Sequence, residues 1–325
     1  MRSPRVDCSR ATGFTLIELM VSMLLGLVVV AAVGSMFVSG QQVFRTGNAL
    51  ADVQDSARVA FEMLAHDVRG AGLTACGNGQ RVSNVLPVGA GNAGSTWWGN
   101  WGNVIHGYAG NDPDVGAGSA AGARVPATPS LQLLRADDVS FSVASHDAAN
   151  ATFLLGEASA DPQERDVFIV CDLDHAAIFR SSSYNAASRT VGHAAATNCS
   201  AALGYPSSCA NPRAYTFGVN AQVTLLYVAD WYLGKNAEGG TSLYRLGRAG
   251  GDPSKQEMVR GIVGLALTYR QGNGFVSADK VTDWSRVSAV RIRFTAQGGD
   301  VRAGLDSGPI SRTFESTVAL RNRLM

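Results

Sequence analysis

Glu18 is the residue with the most demanding chemistry in this chain. It is a lone carboxylate five residues after Gly13, at the start of a long apolar run. The 26 residues from Leu19 to Phe44 carry no formal charge. An ionisable group in a membrane-spanning segment costs roughly 2.5–3.5 kcal/mol on insertion scales and therefore marks function by default. The side chains ahead of it, Arg2, Arg5 and Arg10 against Asp7, give a basic start that fits a cytoplasmic N-terminus.

Five cysteines form the next group. Cys8 lies in the basic stretch, and Cys76, Cys171, Cys199 and Cys209 follow the apolar run. In an oxidising compartment an even set of this kind forms disulfides. Four cysteines admit three pairings, and sequence alone does not choose among them. The short loop between Cys199 and Cys209 favours joining those two, leaving Cys76 with Cys171. A structural metal would need close Cys/His spacing, whereas Cys171 and His175 stand without a second pair nearby. Asn111, Asp112 and Asp114, and also Asp172 and Asp174, offer oxygen ligands for calcium but lack EF-hand spacing, and solvated loop acids are the plainer reading.

Signatures of catalysis are missing. There is no G-x-S-x-G, H-E-x-x-H or G-x-x-x-x-G-K-[ST], and the five histidines are scattered. We expect no enzyme activity, no cofactor and no metal. With 27 basic and 26 acidic residues the charge balance gives no support for nucleic-acid binding. Two surfaces remain open to either a binding or a structural role. Trp97, Trp98 and Trp101 in a glycine-rich stretch would make an aromatic platform or pin their own loop. Arg291 and Arg293 alternate with Val290, Ile292 and Phe294, and would meet an acidic partner or form the solvated face of a sheet.

The elements that position these groups read as follows. The apolar run is long enough to cross a bilayer as a helix, since 26 residues at 1.5 Å rise span ~39 Å against ~30 Å of hydrocarbon. Gly26, Gly34 and Gly40 interrupt it, either to let neighbouring backbones approach or because they are tolerated there. Leu50, Val53, Ala57, Ala60, Phe61, Leu64 and Val68 then recur at helical spacing, with Asp52, Asp55, Arg58, Glu62 and Asp67 on the other faces. Gly70 and Gly72 supply the stop. One helix from about Phe14 to Arg69 is expected.

Residues 73–129 read as a Gly/Trp-rich loop region and 130–325 as a β-rich domain. Strands are expected over Ser130–Leu134, Val139–Val143, Asp166–Cys171, Ala177–Arg180, Ser288–Thr295 and Thr313–Leu320. A hairpin is expected between the run within Tyr215–Tyr232 and Ser242–Leu246, while Val259–Tyr269 fits strand or helix. The fold class is α+β, a long helix on an antiparallel sheet.

Gly13, the apolar residues and Glu18 together resemble the class III signal of type IV prepilins. A secretory signal carries its cleavage site after the apolar run, and here the glycine precedes it. The resemblance implies a leader of residues 1–13, a cut between Gly13 and Phe14 by a prepilin peptidase, and N-methylation of Phe14. Major pilins commonly have proline where this chain has Ser35. The stretch Ala57–Gly72 followed by Cys76 is similar to the PilW-type minor pilins, which carry R-x-A-x-x-x-L-x-x-D-[IVL]-R-x-A-G and then a cysteine. Leu226–Ala229, Ser242–Arg245, Trp284–Arg291 and Val318–Arg323 share that resemblance, while the tryptophan-rich stretch does not.

What the resemblance implies is a minor pilin that primes type IV pilus assembly and sits at or near the tip. Its partners would be other minor pilins, the major pilin and a tip adhesin. It would sit in the inner membrane as a single-pass protein with its C-terminal domain in the periplasm, then move to the pilus, in the service of adhesion and twitching motility. Loss of residues 1–13 would leave a side-chain net charge of −1. Glu18 would face the amine of a neighbouring subunit's first residue within an apolar bundle, offsetting part of the desolvation of both charges. The alternatives are a type II secretion pseudopilin, an adhesion or DNA-uptake tip module, and a membrane-anchored exported enzyme.

Overall fold

Among the described residues, the N-terminal half of the chain's first element packs on nothing, and the C-terminal half packs on a domain. In this computed structural model, which describes residues 13, 15–77, 81–87, 99–112, 114–159, 162–248, 254–304 and 308–323, helix α1 runs unbroken over Leu16–Gly70. Its apolar first half is exposed on every side, with Leu16 77% and Met36 78% accessible. The domain first touches it at Gln42 and Thr46, which donate to the carbonyls of Arg302 and Ala303. From Ala49 one stripe of Val53, Ala57, Ala60, Leu64, Ala65 and Val68 is buried. Alanines dominate that stripe, so the helix axis can come close to the strands beneath.

Two sheets receive it, where the sequence reading expected one. The larger has two long strands as its spine, β3 (Ser130–Asp147) and β9 (Gln222–Lys235), paired antiparallel from Ser130↔Tyr232 to Ser142↔Gln222. The irregularity between Ala136 and Ser140 bends β3, which is why its sequence reads as two strands separated by Ala136-Asp137-Asp138. Each spine strand changes partners along its length. At one end β2 (Ile105–Tyr108) pairs with β3, and β10 (Thr241–Arg248) and β11 (Ser254–Arg260) extend β9. At the other, β4 (Thr152–Leu155) joins β3 and β5 (Val167–Cys171) joins β9, with β6 (His175–Arg180) outside β5. Strands β7 (Ser183–Asn185) and β8 (Thr190–Gly192) continue from β4.

One further pair departs from the antiparallel expectation. Strand β1 (Arg81–Asn84) runs parallel to β6. Both β1 and β2 fall in the stretch read as loop from its glycine content, because four-residue strands are too short to show a period. The smaller sheet has the order β13 (Gly274–Val276), β12 (Ile262–Gln271), β14 (Val287–Gln297), β15 (Ser311–Ala319). The ambiguous run Val259–Tyr269 belongs to both sheets. Gly261, at φ +75°, turns the chain from β11 into β12 in a conformation that L side chains rarely adopt.

Helix α1 sits where the two sheets meet. Its buried stripe packs on Leu131, Leu133 and Trp231 of the large sheet and on Leu265, Ile292 and Phe294 of the small one. A second core lies away from the helix, built from Phe141, Phe153, Phe168, Phe179, Phe217 and their neighbours. Two disulfides, Cys76–Cys171 and Cys199–Cys209, fasten this outer part, with S–S lengths of 2.10 and 2.03 Å.

Candidate functional site

The helix begins with an N-cap, and Glu18 belongs to it. Thr15 is extended, at φ −78° and ψ 150°. Its Oγ1 accepts the Glu18 N–H at 3.4 Å. Glu18 Oε2 in turn accepts the Thr15 N–H at 3.0 Å and the Thr15 hydroxyl at 2.9 Å. This is a reciprocal capping box, which satisfies two backbone donors that a helix start leaves unpaired. The T-x-x-E spacing was the local signal for it, and reading Glu18 as an isolated carboxylate passed over that second role.

The geometry has a chemical consequence for the bond before Phe14. Regular helix starts only at Leu16, so Gly13 is exposed and outside the helical ladder. A protease needs an accessible substrate backbone, and Gly13 is accessible, while the Thr15 N–H is held by Glu18. Phe14 itself, like the rest of residues 1–12, lies outside the described residues. Beyond the cap, a Cβ added at Gly26, Gly34 or Gly40 would meet nothing within 4 Å. Among the described residues no contact therefore requires glycine there.

At the other end of α1 a buried carboxylate locks the helix to the sheet. The sequence reading put Asp67 on the polar outer face; in fact it is 3% exposed. The correction has a physical basis in its partners. Tyr227 OH and Trp231 Nε1 donate to Asp67 Oδ2 at 3.0 and 2.9 Å, and Arg135 Nε donates to Oδ1 at 3.4 Å. Arg135 lies over the Tyr227 ring at 4.0 Å and also bonds Asp138. Gly70 makes room for it, since a Cβ there would come within 2.6 Å of the Arg135 Cδ. Three donors from two strands converge on one helix position, a pattern that no local spacing announces.

The remaining sequence candidates are placed as follows. Trp101 is half-buried and packs with Val82 against the core around Ile169 and Ile178. Trp97 and Trp98, the rest of the aromatic platform expected from the sequence, lie outside the described residues. Arg293 pairs with Glu315 at 2.5 Å, and Arg291 reaches the same carboxylate at 3.8 Å while covering Phe275 at 3.9 Å. That face is satisfied across its own strands. Asp172 accepts from the Asp174 and His175 backbone and from Tyr215 OH, and Asp174 pairs with Arg81. Asp112 accepts from the Ala109 N–H. Among the described residues no group of three or more His, Cys, Asp or Glu could hold a metal ion.

Comparison with known proteins bears on the N-terminal region alone. No curated protein and no solved structure matches the chain. Residues 8–34 match the family described as the prokaryotic N-terminal methylation motif, a span that takes in Arg10, Gly13, the capping box and most of the exposed apolar helix. That motif supports a type IV pilin- or pseudopilin-like subunit. It implies processing by a prepilin peptidase and assembly with other pilins, and with the apolar helix it fits single-pass anchoring in the inner membrane.

Proposed function

We propose that this chain is a minor pilin of the PilW type, which primes type IV pilus assembly and is built in at or near the pilus tip. The observation that carries the reading is the methylation motif over residues 8–34, continuous with a helix whose first half is exposed along its whole length. In this reading the peptidase cuts between Gly13 and Phe14, and Phe14 becomes the methylated N-terminus. The bare apolar half then enters a bundle of like helices, with Gly26, Gly34 and Gly40 permitting close approach. Glu18 stays at the bundle surface of the first turn. Its carboxylate satisfies its own helix start and pairs with a neighbour's terminal amine. The near-neutral, disulfide-tied domain presents the remaining surface to other minor pilins and a tip adhesin.

Mass spectrometry of membrane and pilus fractions tests the reading. A mature chain beginning at methylated Phe14, recovered together with other minor pilins, is the expected result. An intact Met1 terminus or a cut beyond the apolar run would sink it. Gly13→Leu should leave the precursor in the membrane. Recovery of the processed chain only with secretion-system pseudopilins would move it to the type II secretion machine.

A further inference from the structure

The chain between β2 and β3, residues 109–129, folds back as a strap over the face of the large sheet that points away from α1. It is tied to the end of β9 by backbone bonds from Gly122 N–H to the Lys235 carbonyl and from Val125 N–H to the Leu233 carbonyl, both 2.8 Å, and from Lys235 N–H to the Ala123 carbonyl at 2.9 Å. Beneath the strap the sheet carries polar side chains in register: His106 beside Gln132 beside Asp230, and Tyr108 beside Ser130 beside Tyr232.

Asp230 is fully buried, and neither of its carboxylate oxygens receives a hydrogen bond from an N–H or O–H group. The strap's Asp114 lies beside it, because Asp114 accepts from Gln132, the residue that pairs with Asp230 across the two strands, and its charge acts on Asp230. Asp114 is already an acceptor, from the Ser130 hydroxyl and, at 3.4 Å, from Gln132 Nε2. Gln132 is oriented for this by Tyr108 OH, which donates to its Oε1 at 3.1 Å. Two ionised carboxylates cannot bond each other, so something positive has to lie between them. Arg124, buried in the strap, donates to the carbonyls of Thr128 and Asp112 and acts on Asp230 through its charge without bonding it. Two carboxylates and one guanidinium leave a buried net charge of minus one, and a single proton makes the cluster neutral.

We propose that Asp230 is a protonated acid at neutral pH, that it donates its proton to the Asp114 carboxylate, and that this shared proton fastens the 109–129 strap to the sheet. Asp230 is the protonated member because it accepts no bond and has no water contact, whereas Asp114 is half-buried and accepts two. Burial pushes the Asp230 carboxyl well above the usual carboxylate range, the Asp114 charge pushes it further, and Arg124 opposes both. The other titratable groups around it stay neutral. Burial holds the His106 ring below its ordinary value against the pull of Asp114 and Asp112. Burial and nearby acids raise the Tyr108 phenol to about 12, and burial and Asp230 raise Tyr232 and Tyr269 as well. Tyr244, stacked on Tyr232 at 5.8 Å, is raised by burial too.

The sign of the linkage follows. The folded chain holds this proton where the unfolded chain has released it, so the contribution is complete at acid pH. It is lost progressively as pH rises from the unfolded carboxyl value toward the raised folded one. Within that window Asp230 makes the unfolding constant rise about tenfold per pH unit.

The test is thermal unfolding of the full chain in detergent micelles, over a pH series, with and without chelator, for wild type and Asp230→Asn. The amide can donate to Asp114 without a proton to lose. Asp230→Asn is therefore expected to unfold at a higher temperature than wild type at neutral pH, by an amount that shrinks toward acid. Hydrogen exchange at the Gly122 and Val125 amides should be slower in the variant than in wild type at alkaline pH. A variant less stable than wild type at neutral pH, with wild type itself weakened by chelator, would place a metal cation between the carboxylates and overturn the proposal. So would a difference between the two proteins that does not change with pH. A protonated-carboxyl infrared band in the wild-type protein at neutral pH is a further requirement, and its absence overturns the proposal even if the variant fails to fold.

Discussion

From Leu16 to Phe44, α1 exposes nearly every side chain, while from Ala49 to Val68 it buries a stripe between two sheets. The two halves share one unbroken hydrogen-bond ladder, so backbone geometry does not distinguish them. Their side chains do. The first half is apolar all round, which suits lipid or like helices on every side. The second is apolar on one stripe, small where strands come close, and ends in a carboxylate that three side chains reach for. One half is built for partners outside the chain and the other for its own domain.

The sharpest way to break that contrast is at Asp67. Asp67→Ala takes the acceptor from the Tyr227 and Trp231 donors and leaves the buried Arg135 guanidinium with only Asp138 and the Ala136 carbonyl, and should cost roughly 3–5 kcal/mol in denaturant unfolding. A cost under about 1 kcal/mol, the scale of an exposed ion pair, would show that the helix end is not locked. A matched pair of truncations comes next. Leu64, fully buried, should lose about 2–5 kcal/mol on change to Ala. Leu24, 65% exposed, should leave domain stability unchanged on the same change. Equal effects at the two positions would erase the distinction.

Acid supplies a third probe, because it acts on the core that neither half of α1 enters. His146 Nδ1 accepts the Phe217 N–H at 3.1 Å, so its proton sits on Nε2, 3.0 Å from the His193 Nε2 that must accept it. Both rings are thereby held neutral. Burial, with His146 adding, pushes His193 down to about 4. The unfolded chain takes up this proton first, so stability falls as pH drops from about 6.5 toward about 4, by about 3 kcal/mol in all. Urea unfolding across that range should show the loss in wild type and not in His193→Gln. Hydrogen exchange along α1 should respond only where global unfolding carries it.

The smallest expected effect on the domain is at Glu18, and it is the most telling for function. Glu18→Ala removes a cap at the far end of an exposed segment, so protease resistance of the domain should match wild type. Under the proposed function, capture of other minor pilins at equal membrane levels should fail. Normal capture by the alanine variant would remove Glu18 from assembly.

How much of this was legible follows from where each signal lies. The helix could be read because its pattern repeats over many turns, and the β9–β10 hairpin because a Lys-Asn-Ala-Glu-Gly-Gly turn separates two clear runs. The α+β class followed from those. The division into two sheets could not be read, since it depends on which long strand pairs with which, and β11 and β12 differ only by the turn at Gly261. Asp67 was placed on the polar face, and Asp230 was not singled out, for one reason. Each is a polar residue whose burial depends on donors or charges more than 60 residues away in the chain. The capping box at Thr15 and Glu18 was legible and local.

The bond between Cys76 and Cys171 gives the helix a mechanical role. A pull on the exposed half of α1 travels down the rod to Gly70 and then through five residues, Ala71–Ala75, before it meets a covalent crossing into β5. That covalent path leaves out the chain between the two cysteines, which meets the helix instead through side-chain contacts such as Arg135 of β3 with Asp67. Traction along the helix thus reaches β5 by a covalent link and β3 and β9 through the Asp67 cluster, so a pull on the exposed half is shared between a bond and a set of contacts in the large sheet.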